Sequence, residues 1–282
     1  MELILDRPFD LKHTLECGQF FRWELVDGWY WVNTRDIYFR IKQEGNKLLY
    51  KSNEDFDIAR FFRFDDDLER IMDAISKDKT MKEAVNAHKG LRIIRQDPWE
   101  CMISYIISAR NNIPSIRRTI ETLSKAYGTE LFLEERTSYS FPTPEQLSKA
   151  SVEDLFKAGL SFRAKHAHPT IQKFAEEEIE LFELIDRPYK EARESLMKHM
   201  GIGGKVADCI ALFSLEKMES FPVDVWIKRF VEKTYFNGQK MPIKKINDFA
   251  KEYFGSYAGY AQEYMYYYSR SKPIAQQTTV TA

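Results

Sequence analysis

The sequence has few cysteines, no long apolar run and no surplus of positive charge. Cys17, Cys101 and Cys209 are its only cysteines in 282 residues. An odd number of scattered thiols offers no disulfide framework and fits a reducing compartment. There is no CxxC, and no cysteine follows Cys209. Neither zinc nor an iron–sulfur cluster is therefore indicated, and no metal site is expected. His13, His88, His166, His168 and His199 show no ligand spacing. No apolar run reaches the roughly 18 residues of a membrane span, and no signal peptide precedes the first strand. The expectation is a soluble protein without a membrane partner. Lys+Arg 42 against Asp+Glu 43 gives a net charge of −1. That balance argues mildly against nucleic acid, although one cationic face would be hidden in such a sum.

Apolar residues make up 44% and aromatics 14%, enough for one large domain or two ordinary ones. The first 55 or so residues alternate as short aromatic strands: Leu3–Leu5, Phe20–Glu24, Trp29–Val32, Tyr38–Ile41 and Lys47–Tyr50. Asp27-Gly28, Thr34-Arg35-Asp36 and Glu44-Gly45-Asn46 supply the turns between them. Residues 56–89 turn helical. This reads as an α+β domain with an antiparallel sheet over 1–92.

From Asp97 onward every candidate element is a helix. Asp97-Pro98 caps and starts one, Gly128 ends the next, and Thr143 caps another at Pro144. A helix is expected over 164–182, and a last one over about Tyr257–Ser269. The expected organisation is an all-helical domain over 93–270 and a disordered polar tail over 271–282.

Leu196 to Arg229 is the stretch that the rest serves. A helix ends in Met200, and Gly201, Ile202, Gly203 and Gly204 break the run. The glycines permit positive φ and close approach of another backbone. A second helix starts at about Lys205, with Val206, Cys209, Ile210 and Phe213 at helical spacing. Its unpaired first-turn amides are a seat for phosphate. Lys205 stands on that first turn, where the helix dipole disfavours a cation. Such a conflict is expected at a functional site. Pro222 stops helical continuation, and Asp224 is placed to cap the next helix. The pair suggests an amine nucleophile and a carboxylate facing one cavity. The plainer alternative is a solvated lysine and a mere N-cap.

The hairpin, Lys205 and Asp224, in the strings GIGGKVADC and PVDV, resemble the helix-hairpin-helix DNA glycosylases, and within them the 8-oxoguanine DNA glycosylase/lyases. The resemblance spans about Leu11 to Arg270. It implies excision of 8-oxoguanine from duplex DNA through a Schiff base on Lys205, with Asp224 stabilising the developing sugar cation, followed by strand nicking. Gly18, in a GQxFRW-like string, would offer its carbonyl to N7–H of the lesion, a hydrogen that guanine lacks. Gln262 would read the pyrimidine edge. Tyr266 and Cys209 would sandwich the base, with Phe213 and Pro222 completing the slot. Beside the Lys205 ammonium, the Cys209 thiol is expected to ionise more easily. Asn111 and Asn112 belong to a loop that would fill the hole left by the everted nucleotide. Arg110 stands where the family usually has asparagine, and Ser115 where eukaryotic-type members have a base-reading arginine. Arg163 matches a second base-reading arginine, and Phe162 an aromatic wedge. Gly201 and Gly203 would grip phosphate with room for a bound monovalent cation, and Trp226 replaces a phosphate-side histidine. No redox cofactor is required. A monomer in a prokaryotic cytoplasm is expected. An alkylated-base glycosylase of the same superfamily and a non-catalytic hairpin module are the alternatives.

Overall fold

The computed structural model describes residues 1–177 and 181–271. The tail from Lys272, expected to be disordered, lies outside the described residues. Five strands, β1 (Glu2–Ile4), β2 (Trp23–Val26), β3 (Trp29–Thr34), β4 (Ile37–Glu44) and β5 (Lys47–Ser52), form one antiparallel sheet in the order β1-β5-β4-β3-β2. Asp27 and Gly28, both at positive φ (51° and 78°), turn β2 into β3, as a twist-matched two-residue hairpin requires. Phe20 and Phe21 precede β2 rather than extending it, and a helix, Leu11–Glu16, capped by Asp10, interrupts what reads as strand. The antiparallel sheet beside a helical body bears out the α+β class.

One departure has a physical reason. Glu130–Leu133 (β6) and Arg136–Tyr139 (β7) form a hairpin within the half expected to be all helical. Leu131 and Leu133 alternate with exposed neighbours and pack with Trp31 and Tyr38 of the sheet. Buried apolar residues from both sides of residue 92 pack together. One apolar cluster runs from Cys17 and Phe21 through Leu68–Leu91 to Tyr264 and Met265. A second, including Phe9, Val32, Phe39 and Ile94, fills the space under the sheet. The helix expected over 164–182 is described from Ala164 to Glu176, and Leu181–Ile185 forms a 3-10 turn.

The last helix, Ala258–Ser271, joins the two halves. Its tyrosine hydroxyls donate backward: Tyr260 to Asp66, Tyr264 to the Leu91 carbonyl and Tyr268 to Glu83. That face is structural, as expected for Tyr264 and Tyr268. The fixed helix presents Gln262, Glu263 and Tyr266 to a cavity between the halves.

Candidate active site

Gly201 takes φ +87°, but Gly203 is extended (φ −87°, ψ 177°), so only one of this pair uses the left-handed freedom expected of the hairpin. No atom lies within 4 Å of a Cβ built on Gly203, which leaves the hairpin face open to a ligand backbone. The helix Gly204–Ser214 follows with no side-chain cap, so its first amides stay available. Asp208 on this helix accepts from Tyr189 at 2.7 Å and Arg193 at 2.6 Å, which pins the hairpin to the preceding helix.

Lys205 is thereby aimed at a cavity of about 380 Å³ that Asp224 also lines. Both side chains are half-buried. Lys205 Nζ lies 5.1 Å from the Tyr105 ring centroid. Tyr105 stacks on Phe213 at 5.4 Å and 9°, and donates to the Gln19 carbonyl at 3.0 Å. Asp224 does cap the helix Val225–Tyr235, accepting from the Ile227 amide at 2.8 Å. That bond uses one carboxylate oxygen, so capping and facing the cavity are compatible.

Gly18, Cys209, Phe213, Pro222, Gln262, Tyr266 and Trp226 line the same cavity. Gly18 adopts φ +107°, and a Cβ there would stand 2.8 Å from Arg270 Nη1 and 3.4 Å from the Tyr266 ring. Arg270 Nη1 donates to the Cys17 carbonyl at 3.2 Å and to the Tyr266 hydroxyl at 3.3 Å, fixing this corner. Gln262 is buried, and its Oε1 has no partner among the described residues. A buried, unpaired amide oxygen costs about 1–3 kcal/mol unless something binds it. The expectation for Cys209 needs correction. Lys205 does lower its thiol, but burial is the larger effect and pushes it up to about 12, so it faces the slot as a neutral thiol.

The residues expected to face the duplex divide. Phe162 is 51% exposed, not a core aromatic. It follows Ser161, held at φ 56° and ψ −137°, a strained backbone for a residue with a Cβ. Arg110 is exposed at φ 52° at the cavity rim, and Asn111 lines it. The Asn112 side chain caps the helix Ile113–Tyr127, accepting from the Ser115 amide at 3.0 Å. Arg163 is the second correction. It is 6% exposed, and its guanidinium donates to the carbonyls of Ala109, Arg110 and Leu160. In this conformation it shapes the Arg110 loop rather than presenting a free fork to bases. Sequence reasoning missed Tyr105, Glu263 and Arg270. Tyr105 sits in an apolar run with no local sign of its role. Glu263, by contrast, is a carboxylate beside Gln262 in an aromatic helix, and that was a usable signal.

A glycine hairpin that aims a lysine at a cavity shared with an aspartate is the form of a helix-hairpin-helix DNA glycosylase. The chain belongs to the HhH-GPD superfamily of base excision DNA repair proteins, which matches residues 103–255, and residues 3–102 match the 8-oxoguanine DNA glycosylase N-terminal domain. A probable N-glycosylase/DNA lyase of Methanothermobacter thermautotrophicus is 31% identical over 79% of this chain and 74% of its own length. The N-glycosylase/DNA lyase of Saccharomyces cerevisiae is 29% identical over 89% and 81%. The Clostridium acetobutylicum 8-oxoguanine glycosylase/lyase, solved with double-stranded DNA containing cytosine opposite 8-oxoG, superimposes with a TM-score of 0.88. It is 32% identical, over 96% of this chain and 97% of that one.

Proposed function

We propose that this protein excises 8-oxoguanine from duplex DNA and then cleaves the strand at the abasic site. The observation that carries the reading is that Lys205 and Asp224 open onto the same cavity as Gly18, Cys209, Gln262 and Tyr266. The base must first leave the stack, at a cost of a few kcal/mol. Phe162 and the Arg110–Asn112 loop support this step by occupying the gap. Lys205, as free amine, then attacks C1′. The new C–N bond forms as the glycosidic bond breaks, and the bonding pair leaves with the base. Asp224 stabilises the positive charge on the sugar during this exchange. The sugar ring opens to a Schiff base on Lys205, and loss of a C2′ proton expels the 3′ phosphate.

Gly18 and Gln262 support discrimination. A backbone carbonyl accepts from the lesion's N7–H, whereas guanine's N7 would face it with a lone pair. Borohydride added during turnover tests the mechanism. A covalent protein–DNA adduct on 8-oxoguanine duplex is expected, and Lys205→Gln should eliminate it. An adduct of undiminished yield in that variant would remove Lys205 from the nucleophile's role.

A further inference from the structure

Among the described residues, the cavity wall holds one buried acid that the mechanism above does not use. Glu263 is 2% exposed, lines the cavity, and has an Oε1 with no hydrogen-bond partner among the described residues. Its carboxyl meets the Cys17 thiol, whose single proton is directed at the Thr14 carbonyl at 3.3 Å. Among the described residues, Cys17, Tyr105, Lys205, Asp224, Tyr266 and Arg270 are the titratable and charged groups around it. Arg270 Nη1 is already engaged with Cys17 and Tyr266. An unpaired buried carboxyl oxygen of this kind calls for a ligand atom.

Its position indicates which atom. Glu263 follows Gln262 on the last helix, and its carboxyl lies against the residue preceding Gly18. In the proposed slot Gln262 takes the pyrimidine edge and Gly18 the N7 side. On a purine, position 6 lies between those two edges. We propose that Glu263 is a specificity-determining residue of the base slot, its carboxyl donating a hydrogen bond to the position-6 carbonyl of an everted guanine-type base. This rests on the base-slot reading given under the proposed function.

Chemistry and burial agree with that assignment. Guanine's O6 is an acceptor, so only a protonated acid can pair with it, whereas adenine's amino group would need the ionised form. Burial raises the Glu263 carboxyl to about 7, so the donor form is the resident one on the acidic side of neutrality. Ionisation would set a carboxylate against O6, which costs the pair and adds repulsion.

The test is equilibrium binding of the full-length protein to duplexes carrying an uncleavable 2′-fluoro-8-oxo-deoxyguanosine, its 8-oxo-deoxyadenosine counterpart, which keeps N7–H but has an amino group at position 6, or undamaged guanine. The wild-type preference for 8-oxoguanine over 8-oxoadenine should fall roughly tenfold between about pH 6 and about pH 8. Glu263→Gln keeps a donor that does not titrate, and its preference should stay the same at both values. Glu263→Leu should show the reduced preference already at the lower pH. A wild-type preference that does not change with pH, or a Glu263→Gln protein that loses it as the wild type does, overturns the assignment. If the wild type binds 8-oxoguanine no more tightly than undamaged guanine at any pH, the base-slot reading falls with it.

Discussion

The ammonium of Lys205 rests 5.1 Å from the ring centroid of Tyr105, and the hydroxyl of the same tyrosine holds the carbonyl of Gln19, the residue after Gly18. One buried side chain therefore links the proposed nucleophile to the segment whose Gly18 carbonyl is proposed to read the lesion. Two effects of removing the ring oppose each other. Loss of the cation–π contact, worth about 1 kcal/mol, frees the amine. Loss of the platform lets Nζ wander, and a displacement of about 1 Å costs on the order of a hundredfold in rate. The second effect is the larger, so Tyr105→Leu should slow single-turnover adduct formation at least tenfold. A variant that reacts as fast as wild type would show that the ring is not the platform.

Gly18 has no room and the wrong backbone for a side chain. At φ +107° any L-residue is strained, and an added Cβ would press on Arg270 Nη1 at 2.8 Å and Ile113 Cδ1 at 3.1 Å. The arginine tip can move; the backbone angle cannot change without moving the Gly18 carbonyl. Gly18→Ala should cost about 1–3 kcal/mol of stability by denaturant titration. It should reduce the preference for lesion over undamaged guanine more than it reduces overall DNA affinity. An equal loss on both duplexes would place Gly18 in scaffolding alone.

Phe162 gives the opposite expectation. Half exposed, with the Arg163 guanidinium 4.5 Å from its ring centroid, it contributes little to the core. Phe162→Ala should leave stability within about 0.5 kcal/mol of wild type. Excision from duplex should fall tenfold or more, and a lesion in single-stranded DNA should be affected far less. Stopped-flow fluorescence of a base analogue beside the lesion would report the lost wedge directly. A large drop in melting temperature would contradict the exposed placement.

Local chemistry was the legible part of this sequence. Asp97-Pro98, Thr143-Pro144 and Asp224 each cap the helices their spacing announces, because a cap is decided within four residues. Asp27-Gly28 fixed a hairpin for the same reason. The β6–β7 hairpin was missed because its strands are four residues each and turn at Glu134-Glu135, without a glycine signal. At the site, the glycine–lysine hairpin was legible, while what surrounds it was not. Burial of Cys209 outweighs its neighbouring ammonium, and Arg163 is drawn onto the carbonyls of the Arg110 loop. Both outcomes depend on chain segments far apart in sequence. Glu263 stands between the two: its place beside Gln262 is visible in the sequence, whereas the Cys17 thiol against its carboxyl is not.

The same carboxylate leaves a mark on stability that does not need DNA. Burial raises Glu263 from 4.5 to about 7 in the folded protein, so between those values the folded chain holds a proton that the unfolded chain has released. Stability must then fall as pH rises across that window, and the whole penalty is present above about pH 7. A shift of this size corresponds to roughly 3 kcal/mol. Glu263→Gln has no such proton. Urea titrations of the two proteins should therefore diverge, the variant gaining on wild type by up to about 3 kcal/mol as pH goes from about 4.5 to about 7.5. Groups common to both proteins cancel in that difference. Parallel stability curves across the range would mean that the acid is ionised in the fold at its ordinary pH, and that a cation within the protein compensates it.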